Sequence, residues 1–286
     1  MRHNFAVFIL THGRPEKVYT YRTLLDCGYK DKIYLVVDDE DETIEKYREI
    51  YGAKVIQFSK LDVAKKIDTA DLSNDRRSIV YARNACFDIA QGLGVDYFLQ
   101  LDDDYISFYY CYPFEGKLKN KKIKNMGDIC DAFIDFLEES GALTVAFAQG
   151  GDMIGGLKAK TGGAYQKKIL RKAMNSFFCK TSNRFEFSGR INEDVNTYTS
   201  LSNKGKLFFT VTDIRLIQKQ TQSNSGGMTE MYLDNGTYLK SFYSVIFSPQ
   251  AVTVQRMGGN THRRIHHQVD WNKCAPLILS DKWKKV

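Results

Sequence analysis

The stretch Tyr97-Phe-Leu-Gln-Leu-Asp-Asp-Asp104 joins an apolar run to three consecutive aspartates. Its first five residues are mostly apolar, which is typical of a buried strand of a parallel sheet. Three carboxylates follow directly, and ligands of such sheets bind at the carboxyl ends of the strands. Carboxylate oxygens are ligands for hard divalent cations. The triplet therefore indicates a cation site, with an acidic turn that binds nothing as the alternative.

Upstream of this stretch, strands and helices alternate. Apolar runs predict strands, and apolar residues at helical spacing predict the helices between them. This alternation predicts an α/β fold with a parallel sheet. The predicted strands are Phe5–Leu10, Ile33–Val37, Lys54–Phe58 and Tyr97–Leu101, and the predicted helices are Val18–Cys27, Glu42–Tyr51 and Ser78–Ala90.

The second half of the chain is more mixed. An amphipathic helix is predicted over Asp128–Glu138, and strands are predicted over Val145–Gln149, Leu207–Thr212 and Ser244–Phe247. Neither an internal repeat nor a linker separates it from the first half. We therefore expect one domain over residues 1–286.

Composition excludes several classes of protein. The 286 residues are 43% apolar and 26% charged, as in globular proteins. No apolar run reaches the roughly 18–20 residues of a membrane helix, and the N-terminus lacks a signal-peptide pattern. We expect a cytoplasmic protein, in the host cytoplasm if it is phage-encoded, with no membrane partner. The six cysteines contain no Cys-x-x-Cys pair, which excludes a zinc ribbon and argues against a disulfide framework.

Common nucleotide-binding loops are absent from the sequence. No Gly-x-Gly-x-x-Gly follows the first strand, which disfavours a dinucleotide site. Gly151 and Gly156 have the spacing of a phosphate loop, but Leu157 occupies the lysine position. A bound nucleotide diphosphate would then need a cation held by the acidic triplet. Asp104 is the first candidate for metal ligand, and Asp102 is a candidate for metal or ribose.

Five short motifs, and their order along the chain, resemble the GT-A nucleotide-sugar glycosyltransferases over about residues 5–200. The resemblance implies an α/β GT-A fold, with a Rossmann-like nucleotide-sugar half at about 1–110 and a mixed α/β acceptor half at about 111–286. It rests on Thr11-His-Gly-Arg-Pro15, Asp38-Asp39, Ala82-Arg-Asn84, Asp102–Asp104 and Glu193-Asp194.

One string, Gly189-Arg-Ile-Asn-Glu-Asp-Val-Asn196, is similar to phage DNA-modifying glycosyltransferases of the TET-associated or arabinosyl type. That resemblance implies transfer from a UDP-sugar, with Mn²⁺ or Mg²⁺, to a hydroxymethylated pyrimidine such as 5-hydroxymethylcytosine in phage DNA. A GT-A enzyme with a protein or glycan acceptor is the alternative. The sugar, the anomeric outcome, the cytosine or uracil base and the oligomeric state stay open.

Roles for individual residues follow from their chemistry and from the resemblance. Asp194 is the candidate general base, with Glu193 as the fallback. A histidine among His262, His266 and His267 would complete the metal site, and His262 is the first choice. The nucleotide-sugar contacts would be Thr11, Arg14, Asp38, Asp39, Arg83, Asp102 and Asp103, and Arg83 could instead pair with an aspartate at the strand ends. The acceptor contacts would be Arg190, Lys121, Lys122, Arg263 and Arg264, with a structural salt bridge as the equal alternative for Arg190.

The net charge of +7 comes from 41 lysines and arginines against 34 acidic residues. Lysines crowd 117–124, 158–172 and 282–285, with aromatic residues near the first two zones. Basic and aromatic residues together suit DNA held by its phosphates with a flipped base. The alternative for each zone is a solvated lysine run on a helix or loop. Two other classes of protein are disfavoured. A nucleic-acid-binding module without catalysis would not need the carboxylates. A nucleotidyltransferase would have a glycine-rich, lysine-containing signature near the first strand, and Thr11–Lys17 matches it poorly.

Overall fold

The computed structural model describes residues 1–70, 74–159, 173–219, 239–257 and 264–274. The strands are β1 (Phe5–Leu10), β2 (Ile33–Asp38), β3 (Val55–Phe58), β4 (Tyr97–Asp102), β5 (Tyr105–Phe114), β6 (Lys117–Lys122), β7 (Thr144–Ala148), β8 (Ser176–Lys180), β9 (Phe208–Gln218), β10 (Val252–Met257) and β11 (Arg264–Val269). The α-helices are α1 (Tyr19–Asp26), α2 (Ile44–Tyr51), α3 (Lys60–Ala64), α4 (Val80–Gly92), α5 (Met126–Ser140) and α6 (Glu193–Asn203), and residues 239–247 are also helical.

Nine of these strands form one sheet in the order β3-β2-β1-β4-β8-β7-β9-β5-β6. Strands β1 to β4 are parallel, and every residue of β1 is buried, as expected for a strand covered on both faces. Leu10 at the end of β1 lies opposite Val36 of β2 and Asp102 of β4. The polar residues that follow β1, β2 and β4 therefore meet at one edge of the sheet.

The remainder of the sheet is mixed. Strand β8 runs antiparallel between β4 and β7, while β9 is parallel to β7. The hairpin of β5 and β6 forms the far end of the sheet. Residue 110, the expected boundary between the nucleotide-sugar half and the acceptor half, lies within β5. The predicted α/β architecture, parallel in its first part and mixed in its second, is confirmed.

Helices cover both faces of the sheet. Helix α5 places Phe133 against Phe178 of β8, with ring centroids 4.8 Å apart, and Phe178 also stacks on Phe5 of β1. On the other face, Phe87 of α4 meets Phe98 of β4 edge to face at 5.0 Å. Burying a phenylalanine contributes about 1.5–3 kcal/mol, so these rings anchor α5 and α4 to the sheet, and α4 carries Arg83.

One predicted element has the wrong type. Ser244–Phe247 lies in the helical stretch 239–247 and is not a strand. Leu239, Tyr243 and Phe247 are four residues apart, which places them on one helix face, where they pack with Ile191. A short apolar run has no period of its own, so this longer spacing was the informative signal.

The β5–β6 hairpin was not predicted. Lys117–Lys122 forms an edge strand, whereas the sequence suggested a lysine run on a helix or loop. Glu115 and Gly116 connect the strands, both at positive φ (48° and 70°), as a two-residue hairpin turn requires. Most of the second lysine zone and all of the third lie outside the described residues.

All six cysteines are free thiols and buried. Within the described part of the chain, no helix has the length and apolar character needed to cross a membrane.

Candidate active site

The acidic triplet occupies the turn between β4 and β5, and its three carboxylates face different partners. Asp103 is buried and is directed at the turn after β1, where its Oδ2 accepts hydrogen bonds from Thr11 Oγ1 at 2.6 Å and Arg14 Nε at 2.9 Å. Thr11 also contacts the hydroxyl of Tyr47, 2.7 Å away. Asp103 and Thr11 thus connect the ends of β4 and β1. Asp103 binds Arg14 only through Nε, so the two terminal NH₂ groups of that guanidinium can contact a ligand.

Asp104 has the environment of a cation ligand. Its Oδ2 accepts a hydrogen bond from Gln218 Nε2 at 3.2 Å, and its Oδ1 is buried without a partner among the described residues. Burial, together with the charges of Asp102 and Asp103, raises the pKa of Asp104 to about 7. A cation would supply the missing partner and offset this repulsion, so Asp104 fits the metal that the GT-A resemblance implies.

Asp102 and His262 are the other two predicted metal ligands. Asp102 is partly exposed at the end of β4 beside Asp104. Among the described residues, no three His, Cys, Asp or Glu side chains converge as a metal site. His262 lies outside the described residues.

Arg83 links the strand-end carboxylates to the second half of the chain. It is 1% exposed in α4, and its guanidinium lies over the Phe177 ring at 4.8 Å. Its Nη2 donates to Asp102 Oδ1 at 2.8 Å, and its Nε donates to Glu193 Oε1 at 3.0 Å. Burial opposes the charge, but the two carboxylates raise the pKa of Arg83 above its ordinary value. Arg83 is therefore a buried bridge, and its pair with Asp102 is the strand-end contact that the sequence offered beside a contact to the diphosphate.

Glu193 and Asp194 open helix α6 and have different environments. Glu193 forms an ion pair with Arg83. Asp194 is buried, and its Oδ1 accepts the backbone N–H of Val195 at 2.8 Å. Burial and the neighbouring charge of Glu193 raise the pKa of Asp194 to about 7, which is close to the value that a general base needs.

The loop before α6 is held by close contacts. A Cβ on Gly189, at φ +85°, would lie 2.3 Å from Asn196 Nδ2 and 2.7 Å from Phe247 Cε2. Asn196 donates from Nδ2 to the carbonyls of Ser188 and Ile191. Asn192 adopts the left-handed conformation, at φ +56°. These constraints fix the position from which Glu193 and Asp194 project.

Histidines from the C-terminal part approach this loop. Asn192 Nδ2 lies 3.4 Å from His267 Nδ1 in β11. Burial, followed by the nearby His266 and Lys240, lowers the pKa of His267 to about 3, so the ring is neutral near pH 7. Because β11 is a strand, His266 and His267 alternate faces, and only His267 faces Asn192.

The end of β2 forms a second polar group. Both oxygens of Asp38 are occupied, Oδ1 by Lys60 Nζ at 3.0 Å and Oδ2 by His12 Nδ1 at 2.8 Å. Asp39 is exposed, and its Oδ1 accepts the Lys60 backbone N–H at 2.8 Å. Of the two, Asp39 is the one with an oxygen free to reach a ligand hydroxyl.

Those predicted acceptor contacts whose side chains the structure describes do not form one surface. Arg190 is buried and donates to Asp75 Oδ2 at 3.0 Å, the structural ion pair that the sequence left as its alternative. Lys121 and Lys122 are both exposed, on opposite faces of β6. Arg263 lies outside the described residues, and for Arg264 the structure describes only the backbone at the start of β11.

Comparison with known families identifies the chain. Residues 5–227 match the family of TET-associated glycosyltransferases. The chain belongs to that family. It is therefore a glycosyltransferase, and the matched region contains every described site residue except His267.

Solved structures with a similar course of the chain share little sequence with this TET-associated glycosyltransferase. Glucosyl-3-phosphoglycerate synthase from Mycobacterium tuberculosis, bound to Mg²⁺ and UDP, is 10% identical and has a TM-score of 0.45, covering 93% of this chain and 88% of the other. Its complex with Mn²⁺ and UDP-glucose is 8% identical, with a TM-score of 0.46 and coverages of 93% and 87%. TarS 1–349 from S. aureus is 16% identical, with a TM-score of 0.40 and coverages of 75% and 60%. No curated protein matches the sequence.

Sequence reasoning missed three residues of this glycosyltransferase that complete the site. His12 and Lys60 flank Asp38, and Gln218 holds Asp104. His12 and Lys60 each lie two residues after the end of a predicted strand, which was an available signal. Gln218 ends a long strand 114 positions from Asp104, and nothing local in the sequence connects the two.

Proposed function

We propose that this chain is a divalent-cation-dependent glycosyltransferase that moves a sugar from a UDP-sugar to a hydroxymethylated pyrimidine in DNA, with 5-hydroxymethylcytosine as the expected base. The main support is the buried bridge from Asp102 through Arg83 to Glu193. Through it, the carboxylates after β4 and the carboxylates of α6 are held as one unit. Asp104 and Asp194 are their immediate neighbours, and each has the chemistry that one half of a sugar transfer requires.

The donor would lie at the ends of β1, β2 and β4. Asp104 and Asp102 would hold Mn²⁺ or Mg²⁺, which offsets the negative charge that develops on a diphosphate leaving group. Arg14 is 23% exposed and is oriented through Nε by Asp103, so its remaining N–H groups are available for the diphosphate. Asp39 would accept a hydrogen bond from a nucleoside hydroxyl.

The acceptor would approach Asp194. Its carboxylate would take the proton of the acceptor hydroxyl while the hydroxyl oxygen bonds to the anomeric carbon and the bond from that carbon to the diphosphate breaks. Glu193 is the positioning partner in this scheme, because it is held by Arg83. Direct displacement by the acceptor inverts the anomeric carbon.

The DNA acceptor is supported by the family and by charge. The family is named for its association with TET, and the chain carries a net charge of +7. The alternative acceptor, a protein or glycan, does not require a lysine-rich exposed strand such as β6.

The experiment is a nucleoside analysis of treated DNA. The protein is incubated with Mn²⁺, one UDP-sugar at a time, and DNA that contains cytosine, 5-hydroxymethylcytosine or 5-hydroxymethyluracil; the digested nucleosides are analysed by mass spectrometry. A hexose or pentose adduct on a hydroxymethylated base alone, abolished by EDTA, is the expected result. No adduct on any DNA, with transfer to a protein or glycan, would overturn the proposed acceptor.

A further inference from the structure

The β5–β6 hairpin has a regular chemical pattern on one face. Three cross-strand pairs each set an aromatic ring beside a lysine: Tyr110 with Lys121, Tyr112 with Lys119, and Phe114 with Lys117. Directly opposed residues share a face, with Cβ atoms about 4.5–5.5 Å apart, and alternate residues along a strand also share a face. We call these six residues the ribbon face.

The opposite face of the hairpin is covered by the protein. Cys111 and Leu118 pack there with Ala148 and Met153. Asn120 on the same face accepts a hydrogen bond from the Cys111 thiol at 2.9 Å. On the ribbon face, Tyr110 packs against the main core and donates to Asn125 Oδ1 at 2.6 Å. These contacts and the covered face account for the position of the hairpin, so the outer rings Tyr112 and Phe114 are not needed for packing.

The outer part of the ribbon face is exposed. Tyr112 is 40% exposed and Phe114 is 52% exposed, and the three lysines beside them are exposed as well. Among the described residues, none of these lysines forms an ion pair. The face therefore presents uncompensated positive charge between large exposed rings.

Protection of the sheet edge does not account for this composition. Strand β6 is the last strand of the sheet, and lysines on an edge strand do oppose pairing with another chain. Exposed Tyr112 and Phe114 have the opposite effect, because exposed apolar rings favour association. Rings and lysines in alternation do match one ligand, a single strand of nucleic acid, whose bases stack on rings and whose phosphates pair with lysines.

We propose that the ribbon face binds single-stranded DNA next to the base to be modified, with bases stacked on Tyr112 and Phe114 and phosphates on Lys117, Lys119 and Lys121. This inference rests on the proposed DNA acceptor. A single strand is favoured over a duplex because the bases of a duplex are already stacked on each other and offer no free faces to the rings.

The hairpin lies within reach of the candidate active site. Strand β5 starts directly after Asp104, and Tyr112 comes eight residues later. An extended chain of that length spans at most about 29 Å. With about 3.4 Å per nucleotide along a stacked strand, that is about nine nucleotides. Oligonucleotides longer than this can occupy the ribbon face and the active site together.

The first test measures binding of an unmodified 20-nucleotide single strand by fluorescence anisotropy, without a donor, between 50 and 200 mM salt. The variant Lys117→Gln/Lys119→Gln/Lys121→Gln should bind more weakly and reduce the slope of log K against log salt by about 2, since each phosphate contact on a single strand contributes about 0.7. The matched control is Lys30→Gln/Lys204→Gln/Lys206→Gln, which removes three exposed lysines far from the hairpin in sequence. Equal slopes for the two variants would overturn the proposal.

The second test addresses the rings. Tyr112→Ala and Phe114→Ala should each weaken single-strand binding about 5- to 100-fold, because each removes a stacking platform. Phe136→Ala, at a ring that is 38% exposed on α5, is the control and should bind like the wild type. Tyr112→Phe should restore binding. Equal affinity for a duplex and a single strand in the wild-type protein would contradict the stacking.

Two controls separate this inference from the proposed function. The melting temperature of each ribbon variant shows whether the hairpin is folded, and the variant Lys117→Arg/Lys119→Arg/Lys121→Arg keeps the charge and should bind normally. Transfer to a free hydroxymethylated nucleoside should be unchanged in Tyr112→Ala and Phe114→Ala, while the KM for DNA rises. If DNA is glycosylated but the ribbon variants have a normal KM, the ribbon inference fails and the function stands. If the single strand binds the ribbon face but no DNA is glycosylated, the proposed acceptor chemistry fails alone.

Discussion

Arg83 Nη2 lies 2.8 Å from Asp102 Oδ1, and the same guanidinium reaches Glu193, 110 positions along the chain from Arg83. Removing one partner of a buried ion pair is costly, because the remaining charges stay desolvated and unpaired. The pairing therefore determines both the stability of the fold and the relative placement of Asp104 and Asp194.

Replacing Arg83 should be among the most damaging single changes in the protein. Arg83→Met leaves Asp102 and Glu193 without their cation and should cost about 3–5 kcal/mol of unfolding free energy. Chemical denaturation monitored by circular dichroism measures this. The control is Arg48→Met, which removes an exposed i,i+3 pair with Glu45 and should change stability by less than about 0.5 kcal/mol. Similar losses for both variants would contradict the bridge.

Asp104→Asn tests the cation site with a change of shape as small as possible. The amide loses the charge that a hard cation prefers, so Mn²⁺ affinity in the presence of UDP should fall by at least about tenfold. Titration calorimetry gives this affinity without reference to sugar transfer. Asp62→Asn is the control, because Asp62 is exposed on α3 and pairs only with Lys65 among the described residues. Unchanged Mn²⁺ binding in Asp104→Asn would remove Asp104 from the site.

Asp194→Asn should separate sugar transfer from donor binding. Loss of a general base lowers the rate about 10²- to 10⁴-fold, whereas UDP-sugar binding should be retained. In the wild-type enzyme, the transfer rate should rise with pH through about 7, since the pKa of Asp194 is raised to about 7 and only the carboxylate accepts a proton. A pH–rate profile from pH 5.5 to 9 measures this.

Asp194→Asn should lower the transfer rate but raise the thermal stability of the protein at high pH. Because the folded-state pKa of Asp194 lies above the usual aspartate value near 3.9, ionisation of Asp194 destabilises the folded protein as pH rises through about 7. Asp194→Asn should therefore melt higher than the wild type at pH 8.5, and the difference should shrink at pH 5.5. A lower melting temperature at both pH values would indicate that Asp194 is held by a structural ion pair instead.

Gly189→Ala should distort the loop that carries the α6 carboxylates. The new Cβ would lie 2.3 Å from Asn196 Nδ2 and 2.7 Å from Phe247 Cε2 at a positive φ, so both neighbours must move. We expect a loss of more than about 2 kcal/mol in stability together with reduced transfer. Gly92→Ala is the matched control: no atom lies within 4 Å of its Cβ position at the end of α4. It should be neutral or stabilising by up to about 1 kcal/mol. Thermal unfolding compares the two, and equal melting temperatures would contradict the tight approach.

The parallel part of the fold was predictable because its physical signals are local. Phe5–Leu10 and Tyr97–Leu101 are continuous apolar runs, and each is followed by polar residues, so both the strands and the edge that carries the site could be read from the sequence. The hairpin was missed because Lys117–Lys122 contains one apolar residue, Leu118, and its strand conformation comes from pairing with β5. Tertiary contacts override weak local propensity at such positions.

The roles of Asp104 and Asp194 stay predictions. Both are buried carboxylates at the end of a strand or the start of a helix, positions that could be read from the sequence, and their raised pKa values come from burial and neighbouring charges that only the fold reveals. The structural roles of Arg83 and Arg190 required the fold, since a buried arginine and a phosphate-binding arginine have the same sequence signature. Asp38, likewise, is enclosed by His12 and Lys60, and only their three-dimensional positions identify it as occupied.

The place of β8 between β4 and β7 has a consequence for synthesis of the chain. Strand β4 ends at Asp102, but its neighbour on that side starts at Ser176, 74 residues later. At about 5–20 residues per second, the ribosome needs roughly 4–15 s to produce that neighbour. During this interval the apolar edge of β4 has no strand of its own chain to pair with, so a nascent protein of this topology depends on rapid elongation, or on a chaperone, to avoid pairing with other chains.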